Sequence, residues 1–294
     1  MKNHFALFLI LLLSSCVHDV DIEIGEFQQK MVINSIFNSS EAWSIKLTNS
    51  RNILDQDSQI LPIEDASVII IESDTRKIFE LIHQSDGIYT SNALPEIGKK
   101  YELEVAHPDY GVATAITSVP SSLELEAIDT ATVEHEGERS LRINFNILDN
   151  EEEENFYVWD LVTSQEDEID ILPTKEAYLS SLDGDVEIIN DRSNIQHSKL
   201  FISDREFNGG RHTTSFITFE DVKSFQNTDP QNGKKLKLRV LSVSKDLFEY
   251  LKSVEESYRS QNINTSSVYP VDYEFNISNG IGIFGAYKQI LVDI

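Results

Sequence analysis

Between residues 30 and 121 apolar and polar side chains alternate with a period of two, and this pattern constrains the fold more than any other feature of the chain. A strand turns successive side chains to opposite faces, so such alternation marks strands with one face buried and one wet. Trp43, Ile45 and Leu47 alternate with Ser44, Lys46 and Thr48, and Tyr101, Leu103 and Val105 alternate with Glu102, Glu104 and Ala106. Met31–Phe37, Ala66–Glu72, Lys77–His83, Gly87–Ser91 and Val112–Val119 complete a set of seven candidate strands. Ser67 to Ile71 is apolar on both faces, which predicts the most buried strand of the set. Asp86-Gly87 is a strong turn dipeptide, and Pro95 with Gly98 marks another connection. Seven short strands with no helix-period interruption predict an antiparallel β-sandwich of immunoglobulin or transthyretin type. Trp43, set among polar neighbours, is expected on its core face and not as an exposed platform for a sugar.

Pro120-Ser121-Ser122 is the expected boundary to a second domain over residues 122–294, because a stiff polar break there separates two strand-rich regions. Leu141, Ile143, Phe145 and Ile147 form an inward face, Asp149 to Asn155 an acidic loop, and Phe156-Tyr157-Val158-Trp159 the next strand, a pattern that reads as one hairpin of a second antiparallel β-sandwich. A short helix is expected around Lys175–Leu182, a tight turn at Asn208-Gly209-Gly210, and a strand over Lys235–Val243. The best helix of the chain spans residues 244–261. Ser244 can cap it, Asp246 suits the positive end of its dipole, and Leu247, Leu251, Val254 and Tyr258 form one apolar stripe. Asp272–Ser278 is expected to resume a strand.

The first 16 residues bear on location. Lys2, then nine apolar residues from Phe5 to Leu13, then two serines, have the layout of a secretory leader. Nine residues are too few for a helix to cross a bilayer, which takes roughly 20. Leu13-Ser14-Ser15-Cys16 resembles the bacterial lipobox, which implies cleavage after residue 15 and acylation of Cys16. Cys16 is also the one cysteine in the chain, so it has no internal disulfide partner. Residues 16–29, with Asp19, Asp21, Glu23 and Glu26, read as an acidic tether. Removing residues 1–15 takes away only Lys2, leaving 23 basic against 50 acidic residues and a net charge of −27. That balance argues against nucleic acid as a partner, since binding it rests on neutralising phosphates.

Few motifs carry chemistry. Gly280-Ile281-Gly282-Ile283-Phe284-Gly285 spells the dinucleotide fingerprint, but only nine residues follow it and they look like a strand, so no helix can meet a pyrophosphate. The alternative is that these glycines let a neighbouring backbone or ring come close. No metal site is expected: the six histidines beyond residue 15 are scattered, and the acidic stretches Glu151–Glu154 and Glu166–Asp170, with Asp183 and Asp185, lack calcium-loop spacing. There is no G-x-S-x-G elbow, and an enzyme is not expected. No cofactor is expected either.

The lipobox cysteine, Met31–Phe37, Asp86-Gly87-Ile88-Tyr89, Gly98 to Leu103, the strand-then-helix Leu236–Val254 and the closing Asn276 to Ala286 together resemble the domain-of-unknown-function 4249 (DUF4249) lipoproteins of Bacteroidetes-type bacteria. The resemblance implies an outer-membrane, lipid-anchored protein, acylated at Cys16 and associated with a TonB-dependent receptor. It implies no catalytic residue. Two other readings stay open, a structural or adhesive surface protein and a hydrolase of surface polymer.

Overall fold

The computed structural model describes residues 27–52, 54, 59–121, 123–135, 137–163, 179–181, 198–218, 236–262 and 271–294. The chain is mainly β. Its first seven strands are β1 (Met31–Phe37), β2 (Ser44–Asn49), β3 (Ser67–Glu72), β4 (Ile78–Ser85), β5 (Ile88–Thr90), β6 (Lys100–His107) and β7 (Gly111–Ser118). All seven match strands read from the sequence. Asp86 and Gly87, both at positive φ, make the β4–β5 turn.

The alternating apolar residues build one core. Trp43 is completely buried, its ring 4.5 Å from Phe37 and 4.9 Å from Tyr101. An exposed sugar platform at Trp43 is thereby excluded. In β3 only Val68 and Ile70 are buried among the apolar residues, while Ile69 and Ile71 are half-buried. The run of isoleucines misleads here, because the outer face of β3 is not covered by another layer.

The remaining strands are β8 (Glu124–His135), β9 (Glu138–Leu148), β10 (Phe156–Thr163), β11 (Leu179–Ser181), β12 (Leu200–Ser203), β13 (Arg211–Thr218), β14 (Leu236–Val243) and β15 (Ile281–Asp293). Among the described residues one α-helix, α1 (Lys245–Asn262), lies between β14 and β15. β11, β13, β9 and β8 form a four-stranded sheet, and the other strands form one sheet of eleven, in the order β12-β10-β14-β15-β1-β2-β5-β4-β3-β6-β7.

Three expectations change. β9 and β10 are not a hairpin: β9 pairs with β8 and β13, while β10 pairs with β12 and β14 in the other sheet. The acidic loop between them is a crossover, and Phe145 meets Trp159 edge-on at 5.6 Å across the two sheets. The short helix expected around Lys175–Leu182 has residues 175–178 and 182 outside the described residues, and residues 179–181 are strand β11, paired with β13. The segment from Asp272 is not a strand either. Only Ser278 bridges to β7, at Thr114, and the closing strand begins at Ile281.

Burial on both faces explains why the second half reads less clearly than the first. β10 is buried from Phe156 to Val162. Tyr157, Trp159 and Leu161 face the four-stranded sheet, and Phe156 and Val158 face Leu247, Phe248 and Leu251 of α1. A strand covered on both sides is apolar throughout and loses the period-two signal. The helix matches the apolar stripe, but Ser244 spends its hydroxyl elsewhere: it accepts a hydrogen bond from the Ala286 amide at 3.2 Å.

β15 joins the two cores. Ile281 to Ala286 runs parallel to β1 on one edge, and Tyr287 to Asp293 runs antiparallel to β14 on the other. Asn276 completes the edge left free near β15's start, since its side chain both accepts from the Phe284 amide and donates to the Phe284 carbonyl at 2.9 Å. Two glycines permit this. Gly282 has φ +117°, and a Cβ there would collide with the Ile33 carbonyl of β1; at Gly285 a Cβ would stand 2.8 Å from Leu247 Cβ of α1. The glycine repeat is thus a packing device of the last strand. Gly285→Ala should destabilise the protein by about 1–3 kcal/mol, the usual cost of overpacking a tight contact, read as a lowered midpoint in urea denaturation.

Candidate functional site

Cys16, the one site residue expected from sequence, lies outside the described residues, as do Glu166–Asp170, Asp183 and Asp185. Glu151–Glu154 is exposed, and Glu154 faces Lys245 at 3.4 Å and Arg205 at 4.0 Å. No group of three potential metal ligands comes together among the described residues.

Two places gather polar chemistry that the sequence did not single out. The first is buried beneath α1. Asp160 of β10 stands opposite Arg239 of β14 in the ladder, and Arg239 grips it bidentately, Nε to Oδ1 at 2.8 Å and Nη2 to Oδ2 at 2.6 Å. Lys199, just before β12, donates to the same Oδ2 at 2.8 Å. All three side chains are at most 2% exposed. Close by in sequence to Lys199, Ser198 donates its amide (3.0 Å) and hydroxyl (2.6 Å) to Glu255 of α1, which is also buried. Burial pushes the Asp160 carboxyl up, but the two cations outweigh it and hold the group below the ordinary carboxylate value. Asp160 and Glu255 are buried, and each carboxylate is already occupied by donors. Their arrangement locks β10, β12, β14 and α1 together.

The second place is a cleft of about 500 Å³ at the junction of the two cores. One wall is the end of β7 with Lys100 and Gly98; the other is the crossover loop with Phe156, and the β14–α1 corner from Ser242 to Asp246. The crossover is held in shape from below. Asp149 accepts from the Tyr157 hydroxyl at 2.6 Å and the Gly209 amide at 2.7 Å, and Asp204 accepts from the Asn155 amide at 2.8 Å. Burial, reinforced by Asp149, pushes the Tyr157 phenol well above its usual value. Burial likewise raises Asp204, with Asp149 and Glu154 adding to it. Asp246 is raised by burial, while its hydrogen bond to Asn276 and the nearby Lys245 and Lys100 act in the opposite sense.

The family model described as "Domain of unknown function (DUF4249)" matches residues 17–290. The chain belongs to the DUF4249 family. No curated protein matches it. Among solved structures it is similar to Salmonella alpha-2-macroglobulin in two forms. A single-site mutant shows 11% identity over 90% of this chain and 14% of that one, with a TM-score of 0.24. The methylamine-reacted form shows 10% identity over 74% and 14%, with a TM-score of 0.23. At those scores the likeness supports no conclusion about this DUF4249 chain.

Asp160→Asn leaves two buried cations facing an amide and should destabilise the fold by about 3–5 kcal/mol, measured by urea denaturation at pH 7. A carboxylate held low in the folded state contributes fully above the unfolded value, about 3.9, and loses that contribution as pH falls through the folded value. The gap between wild type and Asp160→Asn should therefore be full at neutral pH and shrink below about pH 4.

Proposed function

We propose that this DUF4249 chain is a non-catalytic, lipid-anchored component of the bacterial outer membrane that assists a TonB-dependent transporter by binding it or its substrate. The leader ending in Leu13-Ser14-Ser15-Cys16 carries this reading. Each buried methylene of an acyl chain contributes about 0.8 kcal/mol, and several chains on Cys16 would hold the body at a membrane surface. No helix among the described residues is long and apolar enough to cross a membrane, so the lipid supplies the attachment in this reading. β1 begins at Met31, so the intervening 17–30 segment limits the body to within roughly 50 Å of the anchor, at about 3.3–3.6 Å per residue.

The architecture fits a binding role. We read the two cores as two β-sandwich domains of immunoglobulin or transthyretin type, the second carrying α1, with β15 as their shared strand. This is a rigid platform with polar chemistry at the junction, and the buried carboxylates are engaged in holding strands together. The adhesive or structural reading differs from this one in needing no receptor, and the hydrolase reading would need an accessible carboxylate pair.

Cys16→Ser should move the protein from the membrane to the soluble fraction and abolish the mass added by acylation, as read by fractionation and intact-mass spectrometry. Affinity purification of the unmutated protein from native membranes should recover a TonB-dependent receptor. A Cys16→Ser protein that stays with the membranes overturns the anchor, and purification without a receptor in every growth condition overturns the accessory role.

A further inference from the structure

The wall that β7 gives to the junction cleft is a strand edge with its hydrogen bonds unmade. Val119 donates to the Lys99 carbonyl and accepts from the Gly98 amide, so the odd-numbered residues of β7 direct their backbone groups at β6. The even-numbered residues direct theirs outward. Among these, the Val112 carbonyl is taken by the Asn279 side chain at 3.0 Å, and Thr114 exchanges both backbone hydrogen bonds with Ser278. The cover then stops. On the N-terminal side of Ser278 the chain turns its hydrogen bonding to β15 through Asn276, and the outward backbone groups of Ile116 and Ser118 have no partner among the described residues.

An uncovered edge is a template for another strand, and proteins commonly blunt such edges with charge, proline or a covering segment. Here the first half of β7's outer edge is covered, and the second half opens into the cleft beside Ile116, whose side chain is 46% exposed. Two residues of the cleft lining, Thr117 and Ser242, are at least 98% buried, and their hydroxyls lack a hydrogen-bond partner. The volume lies within the roughly 300–1,000 Å³ of ordinary ligand pockets.

The charges around the cleft select the occupant. Lys245 is neutralised by Glu154, and Lys100 acts on Asp246. Glu153 has no ion pair among the described residues, and Glu151 and Glu152 stand exposed beside it in the same loop. The chain as a whole carries −26, which favours approach of cations.

We propose that the cleft binds an extended, lysine- or arginine-rich segment of a partner protein, which adds to the free edge of β7 at Ile116 and Ser118. Strand addition supplies affinity through main-chain hydrogen bonds, and alternate side chains supply specificity. Cationic side chains of the segment meet Glu153 and its neighbours, while its apolar side chains lie against Ile116. The inference gives the accessory reading a contact surface but does not need the anchor: a Cys16→Ser chain released from the membrane binds the segment as well as the lipidated one.

The test uses the purified full chain and a fluorescent, end-blocked decapeptide of alternating lysine and valine, with binding followed by anisotropy. Two probes control it, a glutamate–valine peptide of the same length and the lysine–valine peptide N-methylated at every second amide. The unmodified lysine–valine peptide should bind at least tenfold more tightly than either. Ile116→Pro removes only an outward amide, which proline tolerates at a strand edge, and should weaken binding at least fivefold. Glu153→Lys should weaken it similarly. If Ile116→Pro fails to fold, the N-methylated peptide tests the same hydrogen bonds on the unmutated protein. Absence of binding by the lysine–valine peptide, or equal binding by its N-methylated form or by a folded Ile116→Pro variant, overturns the proposal.

Discussion

The structure depends on β15 being bonded along both edges to strands from opposite ends of the chain. Its first half pairs with β1 and its second with β14, so neither core closes without the last 14 residues. Phe284 and Ala286 belong to the core of the first seven strands, and Ile283 and Tyr287 to the core beneath α1. Asn38 donates to the Tyr287 hydroxyl at 2.7 Å across 249 residues of sequence. Contacts of such separation form only after a large loss of chain entropy, which slows folding. The first seven strands therefore wait on the C-terminus for Phe284, whose ring lies 5.0 Å from Phe37.

A shared strand transmits strain, and the buried charges are placed where they resist it. Asp160 is held from both sides, by Arg239 on β14 and by Lys199 beside β12, so sliding either neighbour past β10 would strip a buried carboxylate of a cation. Taking ions out of water costs several kcal/mol each, and mutual attraction offsets this only with good geometry and filled hydrogen bonds. The bidentate grip supplies that geometry in one register and in no shifted one. An apolar trio at these positions would bury as well but would leave the pairing of β12, β10 and β14 to side-chain shape alone.

The first core was legible because its strands turn one face to the core and the other to water. Apart from the isoleucine run of β3, its strands show the period-two signal, and even Trp43's orientation follows from Ser44 and Lys46. The second core hides its order for two reasons. β10 is covered on both faces, so Phe156 to Val162 gives no alternation to read, whereas β14 still shows it in Leu236, Leu238 and Val240. The adjacency of β9 and β10 in sequence also suggests a hairpin, whereas the crossover sends them to different sheets. Asp160, Lys199 and Arg239 are 79 residues apart at the extremes, and nothing in their local sequence marks them as a group. One signal could have found Arg239: a lone charge in the otherwise uncharged run Leu238 to Val243. The glycine-rich ending was legible as a packing feature, since only β-branched or aromatic residues stand between its glycines.

The junction cleft follows from the same offset that joins the cores. Had β15 paired with β1 and β14 over the same residues, the segment before it would have been free to run on along β7 as a full strand. Instead β15's first half has an open edge facing α1, and Asn276 is drawn in to satisfy Phe284 there. That diversion keeps the chain off β7 until Ser278, so Ile116 and Ser118 stay uncovered. The β14–α1 corner cannot take over, because Ser244 is already bonded to Ala286 through both its amide and its hydroxyl. One strand serving two cores thus leaves a length of edge that no segment among the described residues covers, and it does so at the place where the acidic crossover loop forms the facing wall.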